Sequence, residues 1–346
     1  MIGSVVSDSH RKSDVSFGMR FLCLAVFCCL LFICCLFAGS VSIPPSDVWG
    51  VFFGEAEEVT SFIILQGRLP MAVTAVLAGA GLAAAGLLLQ TAFRNPLAGP
   101  SILGVTSGAS LGVAVVMLCL GGTVGTTAFS FGGYAAVVAG AFVGSLAVMA
   151  VLLGLSTVLK NGLMLLITGI MIGYLVSSAI TLLNVSASSD GVRGYVLWGM
   201  GTFSGVTMAQ LPVFVSITAF GILLSLLLIK PLDLLLLGES YARNLGVNLL
   251  LVRNILLLAT GIVTAAVTAF CGPVSFIGLA VPHMARLLFP TDRHRIILPA
   301  TMLTGAAVAL ACALVCASAG AGGLPLNAVT PLFGAPVVIW VLLRRR

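Results

Sequence analysis

The polar side chains suited to chemistry are few, and they gather in short intervals between long apolar runs. The richest interval is residues 230–254, KPLDLLLLGESYARNLGVNLLLVRN, which holds Lys230, Asp233, Glu239, Arg243 and Arg253. Gly238 can end a helical turn, and Glu239 then stands where a helix N-terminus favours negative charge. Ser240 to Leu245 has helical composition and Gly246 supplies a stop, so the interval predicts a helix of about two turns. A helix that short does not persist alone in water and needs a surface to rest on. The chemistry it supports is docking into another protein's groove, through Leu237, Gly238, Glu239, Ala242, Arg243, Leu245 and Gly246. Ala242 is expected to face that groove, with Leu245 adding apolar burial. Local physics leaves an ordinary loop between two spans equally open.

Elsewhere the polar groups stand singly. Gln90 and Asn95 lie beside Pro96 and Pro100, which forbid a continuous helix there. The two amides either line a path or satisfy carbonyls that the prolines free. His283 follows Pro282 and reads as a hydrogen-bonding residue at a kink, with metal or haem ligation as the sharper alternative. Trp198 heads a glycine-rich tract that suits a turn at a membrane interface. Cys28, Cys29, Cys34 and Cys35 crowd together, but no histidine or carboxylate is near them, and cysteine in an apolar run behaves as a small hydrophobe. No metal site, catalytic residue or cofactor is expected. Lys12, Lys160 and Lys230 all lack the glycine-rich context of a phosphate loop, so the chain is not expected to hydrolyse ATP.

The elements that carry these groups follow from composition. Of 346 residues, 60% are hydrophobic and 8% charged, whereas soluble domains carry about 25% charged residues. The 40 glycines suit a membrane bundle, where small residues let helix backbones approach. Apolar runs predict an all-α integral membrane protein of about ten transmembrane helices with both termini cytoplasmic. Residues 1–20 form a cytoplasmic N-terminal segment, 21–343 a single transmembrane domain, and 344–346 a basic tail. Glycine pairs mark close-packing faces at Gly108 and Gly112, Gly140 and Gly144, and Gly169 and Gly173. The net charge of +6 reflects basic residues at cytoplasmic ends and not a nucleic-acid partner. Residues 41–67 hold Asp47, Glu55, Glu57 and Glu58 without any Lys or Arg, which places them outside; Arg68 and Arg193 are the two basic residues expected there.

One string is specific: Arg68-Leu-Pro, then GAGLAAAGLLLQ, then RNPLAGPSILGVTSGA to Ala109. It resembles the FecCD-type permeases, membrane subunits of ATP-binding-cassette importers for iron-siderophores, haem and cobalamin. Leu237-Gly-Glu to Leu245-Gly-Val247, Phe276-Ile-Gly-Leu to Pro282-His283 and Arg286, and the ending from Leu324 match the same pattern over about residues 40–343. The resemblance implies a homodimer served by cytoplasmic ATPase subunits on residues 230–254. It also implies a periplasmic or lipid-anchored substrate-binding protein on the outer face, docking through Arg68 and Arg193, and a bacterial inner-membrane location in contact with lipid. It makes the segment before the sixth span an outer gate and Gln90, Asn95, Trp198 and His283 candidates for path or gate. The chain departs from the family where charged residues are frequent: Met71, Ala313, Ala317 and Gly323 stand there, and Asn327 replaces a glycine. An ion-coupled carrier or a passive channel are the alternatives. Carriers normally need acidic or basic groups buried in mid-span, and no Asp, Glu or Lys falls there.

Overall fold

A computed structural model of the chain describes residues 2–39, 41–119, 131–159, 162–318 and 323–344. Lys160 and the arginines Arg345 and Arg346 lie outside the described residues. The architecture is helical, with no strand among the described residues. In chain order the helices are α1 (Ile2–Phe37), α2 (Pro45–Phe53), α3 (Glu58–Ala92), α4 (Val105–Cys119) and α5 (Phe131–Val158). Then come α6 (Gly162–Ser186), α7 (Ser189–Gly199), α8 (Leu211–Leu227), α9 (Ile229–Leu236) and α10 (Glu239–Asn244). The chain closes with α11 (Leu249–Cys271), α12 (Ile277–Leu288), α13 (His294–Ser318) and α14 (Leu326–Arg344).

Six of these are long and apolar enough to cross a membrane, and a seventh span forms if α8 and α9, bent by 46°, act as one. Three shorter apolar helices, Val105–Cys119, Ile277–Leu288 and Leu326–Val341, occupy the places of the other expected spans. By length and composition alone, six or seven spans are counted among the described residues, and the expected ten are reached when the three shorter apolar helices are counted as crossing too. α3 begins earlier than the sequence suggests. It runs continuously from Glu58 through a π-helical turn at Ile63–Arg68, so the acidic outer segment is partly helix, not loop.

α3 is the spine. Its most apolar window is 83% buried, against 11% for α1, and it packs on α13, α12, α11 and α8. Glycine makes this possible. A Cβ on Gly79 would overlap the Gly305 carbonyl of α13, and one on Gly86 the Gly278 carbonyl of α12. The pairs Gly108–Gly144 and Gly112–Gly140 bring α4 and α5 together in the same way. Two layers of core stack along α3, α11 and α13. Ala75, Val267 and Leu310 belong to one layer, and Leu88, Leu256 and Leu298 to the other.

Polar contacts sort into two ends. At one, Arg20 donates to the Leu288 carbonyl (2.9 Å), Arg94 to that of Leu235 (2.9 Å) and Arg253 to that of Leu159 (2.7 Å). This arginine-rich end is cytoplasmic by the positive-inside rule. The opposite end holds α2, α7 and the acidic Glu55, Glu57 and Asp190.

Candidate functional site

At the cytoplasmic end, residues 230–254 form two short helices where the sequence predicts one. Pro231 falls in the first turn of α9, where no backbone N–H is needed. Gly238, at φ 121° and ψ 146°, adopts a conformation that side chains avoid and turns the chain into α10. Gly246 (φ 85°) ends α10. Its N–H bonds to the Arg243 carbonyl (3.0 Å) and that of Val247 to the Ala242 carbonyl (3.1 Å), a paired C-terminal closure. Asn248 then caps α11, accepting from the Leu251 N–H at 3.1 Å.

The face that α10 presents differs from the expectation at one residue. Ala242 is 0% exposed and supports the helix from beneath, against its own chain. Its small size admits the backbone of α10 to the bundle and does not serve an incoming groove. The outward face is Leu237, Tyr241 and Leu245, exposed by 64%, 54% and 53%, flanked by exposed Glu239 and Arg243.

The four candidate path residues all make contacts within the chain. Gln90 is buried and clamps α3 to α12: its Nε2 donates to the Leu279 carbonyl (3.1 Å) and its Oε1 accepts from Arg286 Nη1 (3.0 Å). Asn95 accepts from the Leu97 N–H (2.9 Å) and shapes the turn that Arg94, at φ 48°, opens. His283 donates from Nε2 to the Pro96 carbonyl (2.9 Å), since a carbonyl only accepts, and so braces that same turn. No group of three metal-ligating side chains occurs among the described residues. Trp198 stacks on Tyr195 with centroids 6.1 Å apart. Both lie on α7, whose start Ser188 caps by accepting from the Gly191 N–H. Burial raises the Tyr195 phenol above its ordinary range, partly offset by a hydrogen bond with Ser110.

The outer end holds a cavity of about 590 Å³. Arg68, Met71, Ala313, Ala317 and Gly323 line it together with Leu197 of α7 and Met200 just after that helix. Arg68 and four positions that depart from the family pattern therefore share one chamber. Arg68 itself is 6% exposed, and its guanidinium donates to the carbonyls of Leu36 (2.9 Å), Phe37 (2.7 Å) and Val41. Its donors are engaged within the chain, which corrects the expectation of a free docking charge; the exposed outer cation is Arg193. Asn327, where glycine was expected, joins three outer segments. Its Nδ2 donates to the carbonyls of Gly199 (2.9 Å) and Pro273 (2.7 Å), and its Oδ1 accepts from the Ser275 N–H (3.2 Å).

Sequence reasoning missed one cytoplasmic constellation, Asp233 with His294 and Thr91. A histidine opening a span and an acid in the neighbouring interval, both on the cytoplasmic side, were the available signal.

The arrangement is that of a membrane bundle with a short helix displayed to the cytoplasm and a chamber open to the outside. The sequence matches the FecCD transport family over residues 26–344. The chain belongs to the FecCD transport family. Among its FecCD relatives, the vitamin B12 import system permease protein BtuC of Escherichia coli O9:H4 (strain HS) is 35% identical over 333 residues, covering 94% of this chain and 95% of that protein. BtuC of Klebsiella pneumoniae (strain ATCC 700721 / MGH 78578) is 35% identical over 312 residues, covering 90% and 89%. A solved structure described as an inward-facing conformation of a metal-chelate type ABC transporter superposes with a TM-score of 0.80 at 29% identity, covering 96% of this chain and 99% of that one. PsaBC from Streptococcus pneumoniae shares the fold at a TM-score of 0.50 and 14% identity. As a FecCD protein the chain is a multi-pass inner-membrane permease subunit of an ABC importer, a transport component and not an enzyme.

Proposed function

We propose that the chain works as a homodimer that moves cobalamin or an iron chelate, siderophore or haem, inward by alternating access. Two ATPase subunits seat on α10, and a soluble binding protein delivers cargo to the outer rim near Arg193. The observation that carries the reading is α10 itself: a six-residue helix fixed by Gly238 and Gly246, showing Leu237, Tyr241 and Leu245 to the cytoplasm. Such a helix gains its stability from a partner surface. Cargo passes between two copies, which accords with the interior of one copy: the outer chamber of about 590 Å³ is smaller than a whole corrinoid, and the mid-bundle space beside Pro100 and Thr264 is about 10 Å³.

The test is to purify the permease with its ATPase and binding protein and to add cyanocobalamin, a ferric siderophore or haem. One of the three is expected to stimulate ATP hydrolysis and to accumulate in proteoliposomes. Accumulation driven by an ion gradient without any ATPase would instead make the protein a secondary carrier.

A further inference from the structure

The inner end of α3 and the turn that follows it send three side chains to three different helices. Gln90 reaches α12 through Arg286 and the Leu279 carbonyl. Arg94 reaches α9 at the Leu235 carbonyl, 2.9 Å away. Thr91 Oγ1 lies 3.0 Å from His294 Nε2 at the start of α13. The imidazole continues the chain of contacts: its Nδ1 stands 2.7 Å from Asp233 Oδ1 on α9, and the same carboxylate oxygen accepts the His294 backbone N–H at 2.8 Å. Asp233 is six residues ahead of Glu239, the first residue of α10. A single ring thus connects the segment displayed to the cytoplasm with both the buried spine and α13.

The ring is held at both ends. With Nδ1–H given to the carboxylate, Nε2 accepts from the Thr91 hydroxyl; a doubly protonated ring would donate at both nitrogens. His294 is 1% exposed and Thr91 7%. The Thr91–His294 bond lies in a low dielectric, where it is stronger and where a lost partner is costly, whereas the Asp233 carboxylate at the other end is 38% exposed. The direction of these bonds matters as much as their strength. The apolar contacts of α9, made by side chains such as Leu232, allow sliding, whereas the Asp233–His294–Thr91 bonds fix the register of α9 against α3 and α13. Asp233 also satisfies the first backbone N–H of α13, but that single bond does not need the imidazole to reach on to Thr91, and Arg94 separately tethers α9 to the α3 end.

We infer that Asp233, His294 and Thr91 are positioning residues that convert a displacement of α9 and α10 into a displacement of α3 and α13. The inference rests on the reading of α10 as the ATPase-docking helix. It assigns the coupling of nucleotide state to the outer chamber to this relay, because α3 and α13 carry Met71, Ala313 and Ala317 in the chamber wall.

The experiment uses the assembled permease–ATPase complex in liposomes, with a single cysteine at position 71 in a background lacking native cysteines. Its labelling rate by a membrane-impermeant maleimide is measured with and without a non-hydrolysable ATP analogue and Mg²⁺. The reporter protein should change its rate with nucleotide. Thr91→Val should shrink that change about ten-fold, in the range of ordinary allosteric couplings, while Thr91→Ser, which keeps the hydroxyl, should retain it. Asp233→Ala should cause a similar loss, Asp233→Asn should restore most of it by keeping an oxygen for both donors, and the Thr91→Val/Asp233→Ala pair should lose no more than either alone. A normal nucleotide response in Thr91→Val, or losses that simply add in the pair, overturns the relay and leaves a merely structural contact. Absence of the ATPase from the reporter complex overturns the docking reading instead, and the relay with it, a result read directly from the protein composition.

Discussion

Leu245 offers the sharpest test of the cytoplasmic face. It is 53% exposed, and Tyr241 beside it 54%. Full burial of such a side chain stabilises by about 1.5–3 kcal/mol, so covering the exposed half of each contributes about 0.8–1.6 kcal/mol, or about 1.6–3 kcal/mol for the two together. At 1.4 kcal/mol per factor of ten this is on the order of 15- to 150-fold in ATPase affinity. Replacing both by alanine should therefore weaken the complex by that factor while α10 still closes on Gly246. Leu245→Glu should do at least as much, because a carboxylate would be desolvated at the contact. Ala242→Glu should behave differently: with Ala242 buried under α10, the charge enters the permease's own core and should lower its melting temperature before any partner is added. The assay is titration of purified ATPase onto nanodisc-held permease, with melting followed in the same samples. An affinity for Leu245→Glu within two-fold of the parent protein, together with weakened binding and normal melting for Ala242→Glu, would refute the assignment of faces and restore Ala242 to the groove.

Four further outcomes are expected. Gly86→Val, whose Cβ would overlap the Gly278 carbonyl, should cost about 3 kcal/mol or more by forcing α3 from α12, read as a lower melting temperature. Arg193→Glu should weaken binding-protein docking by about 0.5–1 kcal/mol in a manner that high salt abolishes, whereas Arg68→Met should chiefly destabilise the outer end of α1 by orphaning the Leu36 and Phe37 carbonyls, seen as faster proteolysis there. Cysteines at Glu57 and Asp190 should react with an impermeant thiol reagent in intact cells and one at Ser240 should not; labelling of Ser240 from outside would invert the topology.

The spans were legible because a membrane helix announces itself by unbroken apolar length, and their glycine pairs were legible because close approach demands small residues at fixed spacing. Boundaries were less so. α3 starts at Glu58 because helix continues past the apolar run, which hydropathy does not register. α9 was hidden by Pro231, which reads as a breaker until its place in the first turn is known. The glycine stop after α10 was readable from type alone, but the side on which Ala242 faces was not, since a small residue admits a neighbour from its own chain or from another. Charge counting placed Arg68 outside without revealing that the end of α1 engages its donors. The link from Asp233 to His294 spans 61 residues of sequence and becomes visible when α9 folds back on α13.

The crossings of α3 carry a genetic consequence. At Gly79 and Gly305 each backbone stands where the other's Cβ would be, and at Gly86 the obstacle is the Gly278 carbonyl. A harmful enlargement on one helix is commonly rescued by trimming the residue opposite, but here the residue opposite is already glycine. Revertants of a Gly79 or Gly86 substitution should thus restore the original residue or map to distant sites that let the whole helix shift, and selection for suppressors should return none at Gly305 or Gly278.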